Sequence, residues 1–129
     1  MNTPPKILIV EDQQIVAMDL AARIARLGYG SAGTASSGEE ALRKAEQVQP
    51  DLVLMDVGLI RGMDGIEAAR KLQISCGARI IYVTGSVDEA SLNRMRQTNP
   101  AGWLLKPFDE NDLRQAIERV LSHPATPSA

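Results

Sequence analysis

The chain has 129 residues, 44% of them hydrophobic and 23% charged, with 14 basic against 16 acidic side chains and a net charge of −2. That length predicts one domain with a sizeable core and no room for a second, output domain, and the near-neutral charge gives no general drive towards nucleic acid or an acidic membrane surface. A single cysteine, Cys76, excludes an intramolecular disulfide and a multi-cysteine zinc site, and a single histidine, His123, speaks against a histidine-based catalytic triad.

Residues 1–6 lack the charged start and apolar stretch of a signal peptide. No apolar run approaches the 18 residues of a membrane span, so the expectation is a soluble, cytoplasmic domain at 6–122. Residues 1–5 and 123–129 are small, polar and proline-bearing, and read as loose tails. The first apolar run, Ile7-Leu8-Ile9-Val10, predicts a strand. Ile15, Val16, Leu20, Ile24 and Leu27 then keep helical spacing up to Gly28. Residues 30–35, all small, form a weaker strand candidate. Ala41, Leu42, Ala45 and Val48 make a second helical face, opened by Ser37 and Gly38 and closed before Pro50. Leu52-Val53-Leu54-Met55 is the next strand, followed by a helix marked by Ile66, Ala69 and Leu72 that ends near Gly77. Ile80-Ile81-Tyr82-Val83 is a further strand, and 88–97 a short helix with a polar surface, capped by Asp88. The shorter run Trp103-Leu104-Leu105 precedes the cleanest amphipathic helix, built on Leu113, Ala116, Ile117, Val120 and Leu121 with Asp109 as its cap.

The apolar runs do not alternate, which suits strands buried on both faces of a parallel sheet. With four aromatic residues, Tyr29, Tyr82, Trp103 and Phe108, the core is expected to be aliphatic. Strand and helix alternate five times. This predicts an α/β fold, a doubly wound parallel sheet with helices on both faces and right-handed crossovers.

In such a sheet the carboxyl ends of the strands open on one edge, where ligands bind. Glu11 and Asp12 follow the first run, Asp56 follows Met55, Thr84 and Gly85 follow Val83, and Lys106 and Pro107 follow Leu105. Singly, each polar residue has a plain structural explanation: Asp12 as a helix cap, Thr84 as a strand former, Lys106 as a surface charge. Four strands each placing a reactive group at one edge by chance is a much weaker account. Clustered carboxylates call for a hard divalent cation, and Mg²⁺ binds through one or two carboxylates together with phosphate oxygens. A carboxylate can itself be the nucleophile in phosphoryl transfer, with Mg²⁺, Lys106 and the Thr84 hydroxyl available to stabilise the transferring group.

These residues resemble the response-regulator receiver domain of bacterial two-component systems. The resemblance covers 6–121 and rests on ILIVEDQ at 7–13, DLVLMDVGL at 51–59, GMDGIEAAR at 62–70, IIYVTG at 80–85 and LLKPFDENDL at 104–113. It implies a flavodoxin-like fold with five strands in the order 2-1-3-4-5 and five helices. It implies Asp56 as phosphoacceptor and Glu11, Asp12, Asp56 and the Gly58 carbonyl as protein ligands of Mg²⁺. Lys106 would contact the phosphoryl group, with Lys106-Pro107 a cis peptide, and Thr84 and Trp103 would form the switch pair. Four departures stand out. Ile60 replaces a common proline, and the segment from Asp56 to Gly65 is one residue longer than the commonest form. Gly58 and Ser86 are small at positions that influence phosphoryl lifetime. Trp103 stands where Tyr or Phe is usual.

The implied function is a phosphoacceptor signalling switch rather than an enzyme with an external substrate. It catalyses its own phosphorylation and dephosphorylation, takes its phosphoryl group from a histidine kinase or phosphotransfer protein, and acts on a downstream protein partner. A phosphorylation-dependent homodimer through the face ending in Leu121 is left open. No direct contact with nucleic acid or membrane is expected. A receiver domain excised from a hybrid histidine kinase or longer regulator fits nearly as well. A Mg²⁺-dependent phosphohydrolase with an aspartyl-phosphate intermediate is disfavoured by Gly58, which stands where such enzymes carry a second Asp. A flavodoxin-like cofactor binder is disfavoured by the lack of a Gly-rich loop after Val10.

Overall fold

Ile7, Leu8, Ile9 and Val10 are all buried because their strand lies inside the sheet and meets helices on both sides. A computed structural model describes residues 3–59, 62–85 and 88–122. Five strands, β1 (Lys6–Val10), β2 (Gly30–Ala35), β3 (Leu52–Asp56), β4 (Arg79–Thr84) and β5 (Gly102–Leu105), pair in parallel in the order β2-β1-β3-β4-β5. Between and after them run α1 (Gln14–Arg26), α2 (Gly38–Val48), α3 (Gly65–Cys76), α4 (Glu89–Gln97) and α5 (Glu110–Leu121). This is the flavodoxin-like order that the resemblance implies.

Alternate side chains of the central strands feed two separate cores. Leu8, Val10, Val53, Met55, Ile80 and Tyr82 face α2, α3 and Met95 of α4. Ile7, Ile9, Leu52, Leu54, Ile81 and Val83 face α1 and α5. Four of the five helices begin where the sequence offers a cap. The side chains of Ser37, Asp64, Asp88 and Asp109 accept backbone N–H groups at the starts of α2, α3, α4 and α5. Asp109 and Asp112 complete a reciprocal capping box. Gly77 ends α3 in the left-handed conformation, as its place after the apolar face suggested.

Several expectations are corrected. The N-cap of α1 is Gln13, which makes no side-chain capping bond, and not the Asp12 of the plain structural explanation. Ile15 is 83% exposed, because the buried face of α1 is set by Ala17, Leu20 and Ile24, and Ile15 falls outside that stripe. The strand holding Trp103 is not buried on both faces. It lies at the sheet's edge, where only Leu104 is buried, Trp103 is 38% exposed and Leu105 65% exposed. The core is also not wholly aliphatic. Tyr82 is fully buried, its hydroxyl 2.7 Å from that of Thr98. Since the Thr98 hydroxyl donates to the Met95 carbonyl at 2.6 Å, Tyr82 is the donor in that pair. Next to β1, the Pro5 carbonyl accepts the Gly30 N–H at 2.8 Å. Residues 1, 2 and 123–129 lie outside the described residues.

Leu54 sits at the centre of the α1 and α5 face with almost no exposure. Leu54→Ala is expected to cost about 3 kcal/mol of stability in urea unfolding. A loss below about 1 kcal/mol would show that this core is not closely packed.

Candidate functional site

The strand order puts the ends of β1, β3, β4 and β5 side by side, and the backbone ladder runs slightly past them. Glu11 N–H donates to the Ala35 carbonyl at 2.9 Å, Val57 N–H to Val83 at 3.2 Å and Lys106 N–H to Thr84 at 2.8 Å. The residues that follow the strands are therefore held almost as firmly as the strands themselves. Glu11, Asp12, Asp56, Gly58, Thr84 and Lys106 all line one cleft of about 420 Å³. Trp103 and Pro107 do not. Pro107 lines a second groove with Leu104, Leu105, Phe108 and Ala116. The Lys106-Pro107 peptide is cis. Ile60 and Ser86 lie outside the described residues.

Carboxylate oxygens of Glu11, Asp12 and Asp56 lie within 4.8 Å of one another, the only such group among the described residues. Glu11 and Asp56 are buried. Burial pushes the Glu11 carboxyl up to about 7. Its Gln13 N–H bond and Lys106 oppose that rise, while the Asp56 charge and the bond with Asp12 add to it. Lys106 Nζ is 3.6 Å from Asp56 Oδ1 and 3.7 Å from Glu11 Oε1. Gly58 N–H donates to the same Asp56 oxygen at 2.9 Å, and Gln13 N–H donates to Glu11 Oε2 at 3.0 Å. One ammonium among three carboxylates leaves a negative cluster. Oxygen ligands at this spacing, with too few side chains for a closed cage, suit Mg²⁺ that keeps waters or phosphate oxygens in its shell.

The structure adds lining residues that the strand-end argument did not reach. Gln13, Val57, Asp88 and Ser91 border the cleft. Asp88 carried a visible signal as a helix cap, but its place at the cleft depends on where α4 lies. Gln13 and Ser91 carried none. Trp103 stands away from the cleft, its ring 5.9 Å from that of Tyr82.

A doubly wound α/β fold with an acidic, lysine-bearing cleft at its carboxyl edge defines a class of small α/β domains that bind ligands at the strand ends. Comparison with known proteins narrows the class. The family model described as response regulator receiver domain matches residues 7–118. The transcriptional regulatory protein PdtaR of Mycobacterium tuberculosis is 39% identical over 119 residues, covering 92% of this chain and 58% of that protein. The chemotaxis protein CheY of Thermotoga maritima is 30% identical over 116 residues, covering 89% of this chain and 96% of that protein. The signal receiver domain of a modulated diguanylate cyclase from Desulfovibrio desulfuricans superimposes with a TM-score of 0.87 at 37% identity, covering 92% of this chain and 94% of that one. The chain belongs to the response-regulator receiver family. It spans 58% of the length of PdtaR.

Crowded charge leaves a mark that stability measurements detect. Asp56→Asn keeps a group able to accept the Gly58 N–H and removes a carboxylate from a cluster whose Glu11 carboxyl is already pushed up to about 7. In chelator, the variant should be more stable than the parent by roughly 1–2 kcal/mol, the scale of a like-charge pair at this spacing partly offset by Lys106. Equal or lower stability would mean that Lys106 already balances the cluster.

Proposed function

We propose that this receiver unit, at residues 6–122, is a phosphoacceptor switch whose acceptor is Asp56. The observation that carries the reading is the meeting of Asp56 Oδ1 with Lys106 Nζ at 3.6 Å, beside carboxylates of Glu11 and Asp12, in a chain of this family. Glu11, Asp12, Asp56 and the Gly58 carbonyl would hold Mg²⁺, which when bound offsets negative charge on the cluster and on an incoming phosphoryl group. The donor is a phosphohistidine of a histidine kinase or phosphotransfer protein. An Asp56 oxygen attacks phosphorus, the bond from phosphorus to the imidazole nitrogen breaks, and that nitrogen keeps the electron pair and takes up a proton. Lys106 supplies positive charge to the phosphoryl oxygens, and Thr84, the last residue of β4, supplies a hydroxyl from the neighbouring strand end. Gly85 beside it lines the cleft without a side chain. Slower attack by water returns Asp56 to the free carboxylate.

The output is a change of surface. Thr84 drawn towards the phosphoryl group would bias Trp103 and the face made by α4, β5 and α5 towards a state that binds a downstream protein. That face already carries the exposed Trp103 and Leu105. The domain acts in the cytoplasm. A second reading is a receiver unit within a longer regulator, as in PdtaR, of whose length this chain spans 58%. The phosphohydrolase alternative draws no support from the cleft, where Gly58 offers no side-chain acid.

Incubated with Mg²⁺ and radiolabelled acetyl phosphate, the wild-type chain should take up acid-stable, base-labile label. Asp56→Asn should lose that label; uptake by the variant at the wild-type rate would reject Asp56 as acceptor. Mg²⁺ with beryllofluoride should alter Trp103 fluorescence. A silent indole, with binding confirmed by calorimetry, would reject Trp103 as part of the switch.

A further inference from the structure

Gly65 is the first residue of α3, and it lies against the peptide that follows Asp56. A Cβ built on Gly65 would fall on the Asp56 carbonyl oxygen, well inside the 3.0 Å that real Cβ atoms respect. It would also sit 3.2 Å from the Asp56 carbonyl carbon and 3.2 Å from Val57 Cα. None of these neighbours is the movable end of a side chain; all are backbone of the turn that carries the cleft. Gly65 is not among the residues of positive φ, so close approach, rather than an unusual conformation, is what demands glycine here.

That turn is the segment on which the cleft's geometry hangs. The Asp56 carboxylate is oriented by the Gly58 N–H at 2.9 Å, so the 56–58 backbone sets the acceptor oxygen and the Gly58 carbonyl together. Gly65, seven residues past Gly58, comes back against the Asp56 peptide. The residue before it is fixed in turn. Asp64 accepts the Glu67 N–H at 2.8 Å and pairs with Arg94 of α4 at 3.0 Å.

We propose that Gly65 is a positioning residue for the acceptor turn: its missing Cβ lets α3 seat on the Asp56 peptide and fixes the 56–58 backbone however the segment beyond it is arranged. The proposal rests on the phosphoacceptor reading above. Gly65→Ala would have to move the peptide or the helix start by about 1 Å, a displacement able to cost about a hundredfold in rate.

The test compares Gly65→Ala with Leu72→Ala in the full chain. Leu72 is a buried residue of the same helix, so its truncation weakens α3 packing without adding an atom at Asp56. Thermal unfolding, Mg²⁺ affinity by calorimetry and the rate of labelling by acetyl phosphate are measured for each. Gly65→Ala should bind Mg²⁺ at least tenfold more weakly and label about a hundredfold more slowly. Leu72→Ala should stay within about twofold of wild type in Mg²⁺ affinity, whatever its melting temperature. A folded Gly65→Ala with wild-type Mg²⁺ affinity overturns the proposal, as does an equal loss in Leu72→Ala. If Gly65→Ala does not fold, the wild-type chain decides by amide resonances. Gly65 should shift with the same Mg²⁺ midpoint as Gly58, and a stationary Gly65 beside a moving Gly58 overturns the proposal. Should wild type neither bind Mg²⁺ nor take label, the phosphoacceptor reading fails and this proposal with it. A wild type that does both, beside an unaffected Gly65→Ala, removes this proposal alone.

Discussion

Three carboxylates held within 4.8 Å of each other set the terms for the rest of the molecule. Such a cluster repels itself, and burial of Glu11 and Asp56 raises the cost further. The fold bears that cost by placing the charges at the ends of its best-packed elements. β1 and β3 are almost wholly buried and pair with each other in unbroken register from Ile7 with Leu52 to Val10 with Met55. Backbone donors then act locally: Gln13 N–H on Glu11 and Gly58 N–H on Asp56 each favour a charged oxygen where it is needed. Lys106 contributes less than its distances suggest, because its side chain is over a third exposed.

The rigid end of the sheet contrasts with its β4–β5 side. β5 is a short edge strand with one buried side chain, and α4 also buries only one, Met95. At the C-terminus of α4, Thr98 joins a buried network, with Tyr82 donating to its hydroxyl, that hydroxyl donating to Met95, and Gln73 of α3 donating to its carbonyl at 2.8 Å. In the same last turn, Arg94 pairs with Asp64 in an exposed ion pair. Exposed pairs contribute at most about 1 kcal/mol, and buried bonds are harder to break than that. Among the described residues, the tertiary anchors of α4 thus gather in its last turn, while Asp88 and Ser91 at its start border the cleft.

What the sequence made legible divides along the same line. Continuous apolar runs marked β1, β3 and β4, because strands covered on both faces leave no period to misread. Caps at Ser37, Asp88 and Asp109 announced three helix starts by their chemistry. The converging residues Glu11, Asp12, Asp56, Thr84 and Lys106 were legible because element order alone dictates which strand ends share an edge. Ile15 was misplaced because one apolar residue beside a helical stripe satisfies the eye without satisfying the 100° step. The exposure of Trp103 was hidden because edge and centre are properties of strand order, which the run itself does not encode. Tyr82 looked like one more apolar strand residue. Its hydroxyl found Thr98, sixteen positions away, only through the seating of α4.

Tyr82 also bears on how a change at the cleft could travel. It sits two residues before Thr84, on the opposite side of the sheet from Val83, and its ring lies 5.9 Å from Trp103. Its hydroxyl meanwhile reaches the C-terminal anchor of α4. One buried side chain therefore touches both the exposed aromatic of β5 and the fixed end of the helix bordering the cleft. Buried, hydrogen-bonded groups of this kind do not deform continuously; they occupy discrete arrangements because an unmade bond in the core costs about 1–3 kcal/mol. A displacement at Thr84 small enough to be absorbed by a loop would, on this side of the sheet, have to be either resisted or passed on. The rigid carboxylate edge favours the second outcome, since β1 and β3 have no slack to take it up.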